Sequence, residues 1–128
     1  MKKLLLLALL FPIASFAEWT KVAENRMAAM YIEFESVKES DGYVYYWQLT
    51  NFSKPTEGGH LSAKILYEVD CKTPRKTRWL SFASYDREMA KGSDDYILNT
   101  PDEWIYVAPE TTHELIVDTV CQFNELKS

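Results

Sequence analysis

The sequence predicts an α+β domain: a single antiparallel β-sheet of five or six strands packed against a C-terminal α-helix and stapled by one disulfide. Three observations carry this prediction. Leu61 to Cys71 alternates apolar and polar residues as a half-buried strand does. Thr111 and Glu114 open an apolar stripe at helical spacing near the C terminus. The two cysteines, Cys71 and Cys121, follow an apolar leader that directs export, and in an oxidising compartment a disulfide is their default state.

The leader comprises residues 1–17, MKKLLLLALLFPIASFA, and reads as a secretory signal peptide. Lys2 and Lys3 precede an apolar run from Leu4 to Ile13, and Ser15 and Ala17 supply the small residues of a cleavage site. The run falls well short of the roughly 20 residues that span a bilayer as a helix. Residues 18–128 then form one domain, too short for two cores and free of linkers, repeats and low-complexity tracts. No later transmembrane segment is expected. The chain carries 14 basic and 19 acidic residues, and losing two lysines with the leader deepens that imbalance. A chain this acidic has no electrostatic preference for nucleic acid or anionic lipid.

Glu18 to Val22 reads as a short edge strand. Met27 to Phe34 is a strand with Ala28, Met30, Ile32 and Phe34 on one face, and Asp41-Gly42 is a hairpin turn pair ahead of the aromatic strand Tyr43 to Phe52. The loop SKPTEGGH separates this strand from the next. Along Leu61 to Cys71, Leu61, Ala63, Ile65, Tyr67, Val69 and Cys71 share one parity and only Leu66 breaks the alternation, so Cys71 points to the core. Thr77 to Tyr85 has apolar residues on both parities, which predicts a central strand covered on each side. Tyr96 to Leu98 adds a short strand.

The last element opens on the capping box Thr111-x-x-Glu114, with Pro109 just upstream. Ile116, Val117, Val120, Cys121 and Phe123 follow at helical spacing; frequent β-branched residues keep a strand reading of Leu115 to Phe123 open. On the helical reading Cys121 faces the sheet opposite Cys71. Closing a loop of roughly 50 residues then contributes on the order of 4 kcal/mol.

No catalytic set emerges. His113-Glu114-Leu115-Ile116-Val117 begins like a helical zinc motif but has Val117 where the second imidazole belongs, and His60 lies in a glycine-flanked loop. Neither Asp94-Asp95 nor the series Glu33, Glu35, Glu39 and Asp41 has the spacing of a calcium loop. The expectation is therefore no enzyme, no cofactor and no metal.

Binding candidates lie elsewhere. YEVDCKTPRKTRW places Lys72, Arg75, Lys76 and Arg78 around a hairpin turn in an acidic chain. Two readings apply: a solvated turn that protects a sheet edge, or an anion-recognition tip for sulfated glycans or acidic loops, held at its base by the disulfide. Tyr43, Tyr45, Tyr46 and Trp47 put rings on both faces of one strand, either as core or as recognition surface. Tyr46 joins the four cations as a candidate contact residue.

These segments resemble a known family. SAKILYEVDC, the basic turn, RWLSFASYD, Met89 and Gly92, the run Trp104 to Pro109, and Val120-Cys121 are similar to the surface-adhesin protein E-like domain, as are Glu18-Trp19, Tyr31-Ile32 and YVYYWQL. The resemblance covers nearly all of residues 18–128. It implies one antiparallel sheet against a C-terminal helix, with Cys71 and Cys121 as the bridging pair. It also implies adhesion to host matrix and plasma glycoproteins, and a homodimer. Lipid-anchored members carry a cysteine at the cleavage site where this chain has Glu18, so no lipid anchor is expected. The resulting expectation is an exported, non-enzymatic, adhesin-like module for a protein or acidic glycan, in the periplasm or at the outer surface. The alternative is a periplasmic structural protein that maintains the envelope.

Overall fold

The computed structural model describes residues 18–127, apart from the side chains of Asp95 and Tyr96; the expected signal peptide lies outside the described residues. Among the described residues, eight strands form one antiparallel sheet: Thr20–Glu24 (β1), Ala28–Ile32 (β2), Lys38–Ser40 (β3), Tyr43–Phe52 (β4), Ser62–Asp70 (β5), Lys76–Tyr85 (β6), Asp94–Leu98 (β7) and Ile105–Tyr106 (β8). The helix Thr112–Lys127 (α1) follows. The spatial order is β1-β2-β4-β5-β6-β7, with β3 paired to β4 and β8 paired to β6.

The count exceeds the five or six strands expected from the sequence, because both neighbours of the long strands are interrupted. β2 pairs with Gln48 to Phe52 of β4 and β3 with Tyr43 to Tyr45, with a single 3₁₀ turn, Phe34–Ser36, between them. β7 and β8 divide β6 in the same way. A break of this length leaves no change in hydrophobic period for sequence reasoning to detect. The Asp41-Gly42 turn is present, with both residues at positive φ (52° and 86°) as a type I′ hairpin requires. It joins β3 to β4, while the Met27–Phe34 segment pairs with the far half of β4 through β2. Phe34 leaves that strand and packs on Phe123 of α1, 4.9 Å between centroids.

The mixed parity of β6 has a different cause from the one expected. Tyr67 pairs with Trp79, but Leu66 pairs with Ser81, so Leu80 is an extra residue in a β-bulge. The bulge returns Trp79 and Phe82 to one face, 6.1 Å apart. Apolar residues on both parities therefore mark a bulge, and most of the strand is only half-buried.

α1 covers one end of one sheet face. Ile32, Val44, Tyr46 and Val69 of the sheet meet Ile116, Val117, Val120 and Cys121 of the helix in the main core. Cys71 and Cys121 are joined at the edge of this core, with Cα atoms 5.9 Å apart. The Thr111 hydroxyl accepts the Glu114 N–H at 3.1 Å. The reciprocal bond lands one residue earlier than a standard box, with Glu114 Oε1 accepting from Glu110 N–H at 2.9 Å. At its other end α1 is tied to β3 by Asn124, whose Nδ2 donates to Glu39 at 2.8 Å, and to the preceding turn by Lys127, which donates to the Val37 carbonyl.

Candidate functional site

The register of β5 and β6 disperses the basic turn. Glu68 stands opposite Arg78 and Asp70 opposite Lys76, so acids face bases across the ladder. Arg78 Nε donates to Glu68 Oε1 at 2.6 Å. Arg75 folds onto α1, donating to the Asp118 carboxylate and to the Cys71 carbonyl at 3.2 Å. Lys76 lies 5.7 Å from the Trp104 ring centroid, while Lys72 is exposed at the tip. Arg75, Lys76 and Arg78 are thus drawn onto different partners while Lys72 stays exposed, and the four cations do not form one charged cluster.

Tyr46 is not a surface residue, which corrects its place among the candidate contacts. It is 0% exposed and stacks on Tyr67 under α1, with centroids 5.4 Å apart. Alternation along β4 sends Val44, Tyr46 and Gln48 to the helix-bearing face and Tyr43, Tyr45 and Trp47 to the other.

That second face carries a continuous row of rings and cations. Tyr45 pairs with Glu68 and Glu68 with Arg78, one row across three strands. Glu68 is only 4% exposed, and its two carboxylate oxygens are taken by Arg78 and by the Tyr45 hydroxyl, which donates at 2.6 Å. This hydrogen bond to Glu68, with lesser help from desolvation, pushes the Tyr45 phenol up to about 12. Trp104, from the loop before β8, lies over Arg78 at 4.9 Å and beside Tyr43 at 5.2 Å. Lys64 sits 5.5 Å above Trp47. Trp47, Tyr45 and Leu66 line a shallow groove of about 450 Å³ with Glu33, Glu35 and Lys38 at its rim.

Sequence reasoning missed Trp104 as part of this surface. The residue stands in a stretch without periodicity, and only the pairing of β8 with β6 carries it over Arg78. The arrangement suits recognition: rings offer contact area with few torsions to freeze, and a guanidinium held by Glu68 and stacked on Trp104 is already oriented.

On the helix-bearing face, His113 Nε2 is 3.0 Å from the Thr77 hydroxyl and its ring is 5.4 Å from that of Tyr67. Burial lowers the His113 pKa below its ordinary value. Among the described residues no three His, Cys, Asp or Glu side chains gather as a metal site, and no helix is long and apolar enough to cross a membrane.

No curated protein matches the chain. Two solved structures of Haemophilus influenzae protein E share its fold. Crystal form II is 14% identical, with 89% of this chain and 94% of that chain covered at a TM-score of 0.67. A second structure is 13% identical, with 89% and 92% covered at a TM-score of 0.59. At this identity the likeness concerns the fold alone. The family model described as Surface-adhesin protein E matches residues 19–122, and the chain belongs to that family, as its motifs imply.

Proposed function

We propose that this protein is an exported, non-enzymatic binding module that recognises a host or envelope protein or glycan through the sheet face opposite the helix. The observation that carries this reading is the ridge of Tyr43, Trp104 and Arg78, a contiguous ring–ring–guanidinium series with the two rings tilted by 40°, on a face that α1 does not cover. Trp, Tyr and Arg dominate the energy of protein recognition because each supplies area, a defined orientation and a polar edge. Lys64 and Lys76, each set over a tryptophan, add positive charge that suits sulfated glycans and acidic loops. Membership of a surface-adhesin family supports the same reading.

The test is binding of the purified protein to immobilised heparin-like polymer and to a panel of matrix and plasma glycoproteins. Trp104→Ala should weaken retention at least tenfold while leaving the circular dichroism spectrum intact. Leu126→Ala, at an 84% exposed position on α1, should have no effect. Equal retention by both variants would remove this face from the proposal. Protease shaving of intact cells locates the module: digestion with a periplasmic marker preserved places it outside, whereas protection confines it to the periplasm and ends the adhesive reading. Sedimentation at micromolar concentration tests the homodimer, and a sharp monomer counts against it.

A further inference from the structure

A second site lies on the helix-bearing face, where β2 and β4 run past the start of α1. The alternation that sends Gln48 to this face sends Thr50 and Phe52 there too, and β2 sets Met30 opposite Thr50 and Ala28 opposite Phe52. With Met27 and Pro55 these residues line an apolar groove of about 810 Å³, within the roughly 300–1,000 Å³ of small-ligand pockets. Met27 in its lining is 75% exposed.

The walls of the groove are held in place by hydrogen bonds. Asn25 Oδ1 accepts the N–H groups of Met27 and Ala28 at 2.8 and 3.0 Å, and Asn25 Nδ2 donates to Thr112 at the head of α1 at 3.3 Å. Across the groove, Ser53 donates its N–H to the Met27 carbonyl at 2.9 Å and its hydroxyl to the Arg26 carbonyl at 2.8 Å. These bonds set the backbones of Arg26 and Lys54 side by side, and both residues line the groove. Both are exposed, and neither has an ion-pair partner among the described residues. The lining contains no carboxylate, in a chain with 19 acidic and 14 basic residues.

An apolar trough with two unpaired cations fits an amphiphile with one anionic head. Met27 and Met30 are unbranched and pliable, which suits a flexible chain, and Phe52 is the only aromatic residue in the lining, so a planar ring system would have no second ring to sandwich it. The negative charge of the whole chain repels an anionic bilayer, whereas two local cations suffice for one carboxylate. We propose that this groove binds a free long-chain fatty acid, with its acyl chain against Met27, Met30 and Phe52 and its carboxylate held by Arg26 and Lys54. The site lies across the sheet from the ridge of Tyr43, Trp104 and Arg78 and does not depend on the function proposed for that ridge.

The test uses the purified, disulfide-bonded protein with methyl-labelled methionine and dodecanoate below its micellar concentration. The Met27 and Met30 methyl resonances should shift saturably, while Met89, whose N–H is held by Asn51 of the other face, should not move. Each two methylenes added to the chain should tighten binding about fivefold. Dodecyltrimethylammonium, with the same tail and the opposite charge, should bind about tenfold more weakly. Arg26→Gln with Lys54→Gln should weaken dodecanoate about tenfold at an unchanged urea midpoint. Met27→Glu, at an exposed position, should abolish saturable binding and gives a second reading of the site. Equal affinity for the two dodecyl ions, full affinity in the double variant, or no shift of Met27 and Met30 would overturn the proposal. Sedimentation with phosphatidylglycerol vesicles without any response to dodecanoate would overturn it as well, by assigning the cations to a bilayer.

Discussion

Arg78 lies over the ring of Trp104 on the uncovered side of the sheet, with the guanidinium carbon 4.9 Å from the ring centroid. The cation keeps this position because Glu68 holds its Nε at 2.6 Å from within the ladder. Glu68 therefore organises the surface without being part of it.

Replacing Glu68 should show this. Glu68→Gln removes the charge that faces both Arg78 and Tyr45, and we expect a loss of about 2 kcal/mol in urea unfolding. Combined with Arg78→Met the loss should be clearly smaller than the sum of the singles, as for any directly coupled pair. Ultraviolet titration gives a second readout: the Tyr45 phenol should fall from about 12 towards its ordinary 10.0. An unmoved titration would mean that the hydrogen bond does not hold the ring.

Tyr46 offers a test in the opposite direction. Its hydroxyl is buried beneath α1 without a hydrogen-bond partner, and burial raises its pKa well above the ordinary value. Tyr46→Phe keeps the ring that stacks on Tyr67 and removes the unsatisfied group, so stability should rise by about 1 kcal/mol. Tyr46→Ala should instead cost about 3–5 kcal/mol by opening a cavity. A destabilising Tyr46→Phe would show that the hydroxyl is satisfied in solution.

At the start of α1, Thr111→Ala should cost about 1 kcal/mol, since its hydroxyl accepts from Glu114 N–H. Glu114→Ala should cost about as much, through the lost bond to Glu110 N–H and the lost carboxylate near the helix N terminus. Chemical denaturation of the two variants checks both values; wild-type midpoints would mean that packing against the sheet alone holds the first turn.

His113 sets a pH dependence. Burial holds its pKa below 6.5, so the folded chain keeps the ring neutral where the unfolded chain takes up a proton. Its contribution is complete above pH 6.5 and is lost as pH falls from there through the folded-state value. Urea midpoints measured across that interval should decline with acidification, and His113→Gln should flatten the decline while keeping a hydrogen-bonding partner for Thr77. An unchanged slope would assign the proton uptake to another group.

Much of this architecture is written in short-range pattern. The alternation of Leu61 to Cys71, the Asp41-Gly42 turn, the Thr111–Glu114 cap and the stripe from Ile116 to Phe123 determined a half-buried strand, a hairpin and an amphipathic helix. With the two cysteines, they determined which faces meet. Each depends on a period or a turn preference spanning a few residues, and such preferences are local to the backbone.

The tertiary structure decided the rest. It split the strands flanking β4 and β6, and it placed the bulge at Leu80, which follows from register against β5. It buried Tyr46 while leaving Tyr45 at the surface, because α1 packs on one face only. It distributed the basic turn onto Asp118, Glu68 and Trp104, partners supplied by α1, β5 and the loop before β8. Register, helix docking and loop placement are long-range relationships, stabilised by contacts between segments far apart in sequence. No local period records them, and the surface this protein presents is built from them.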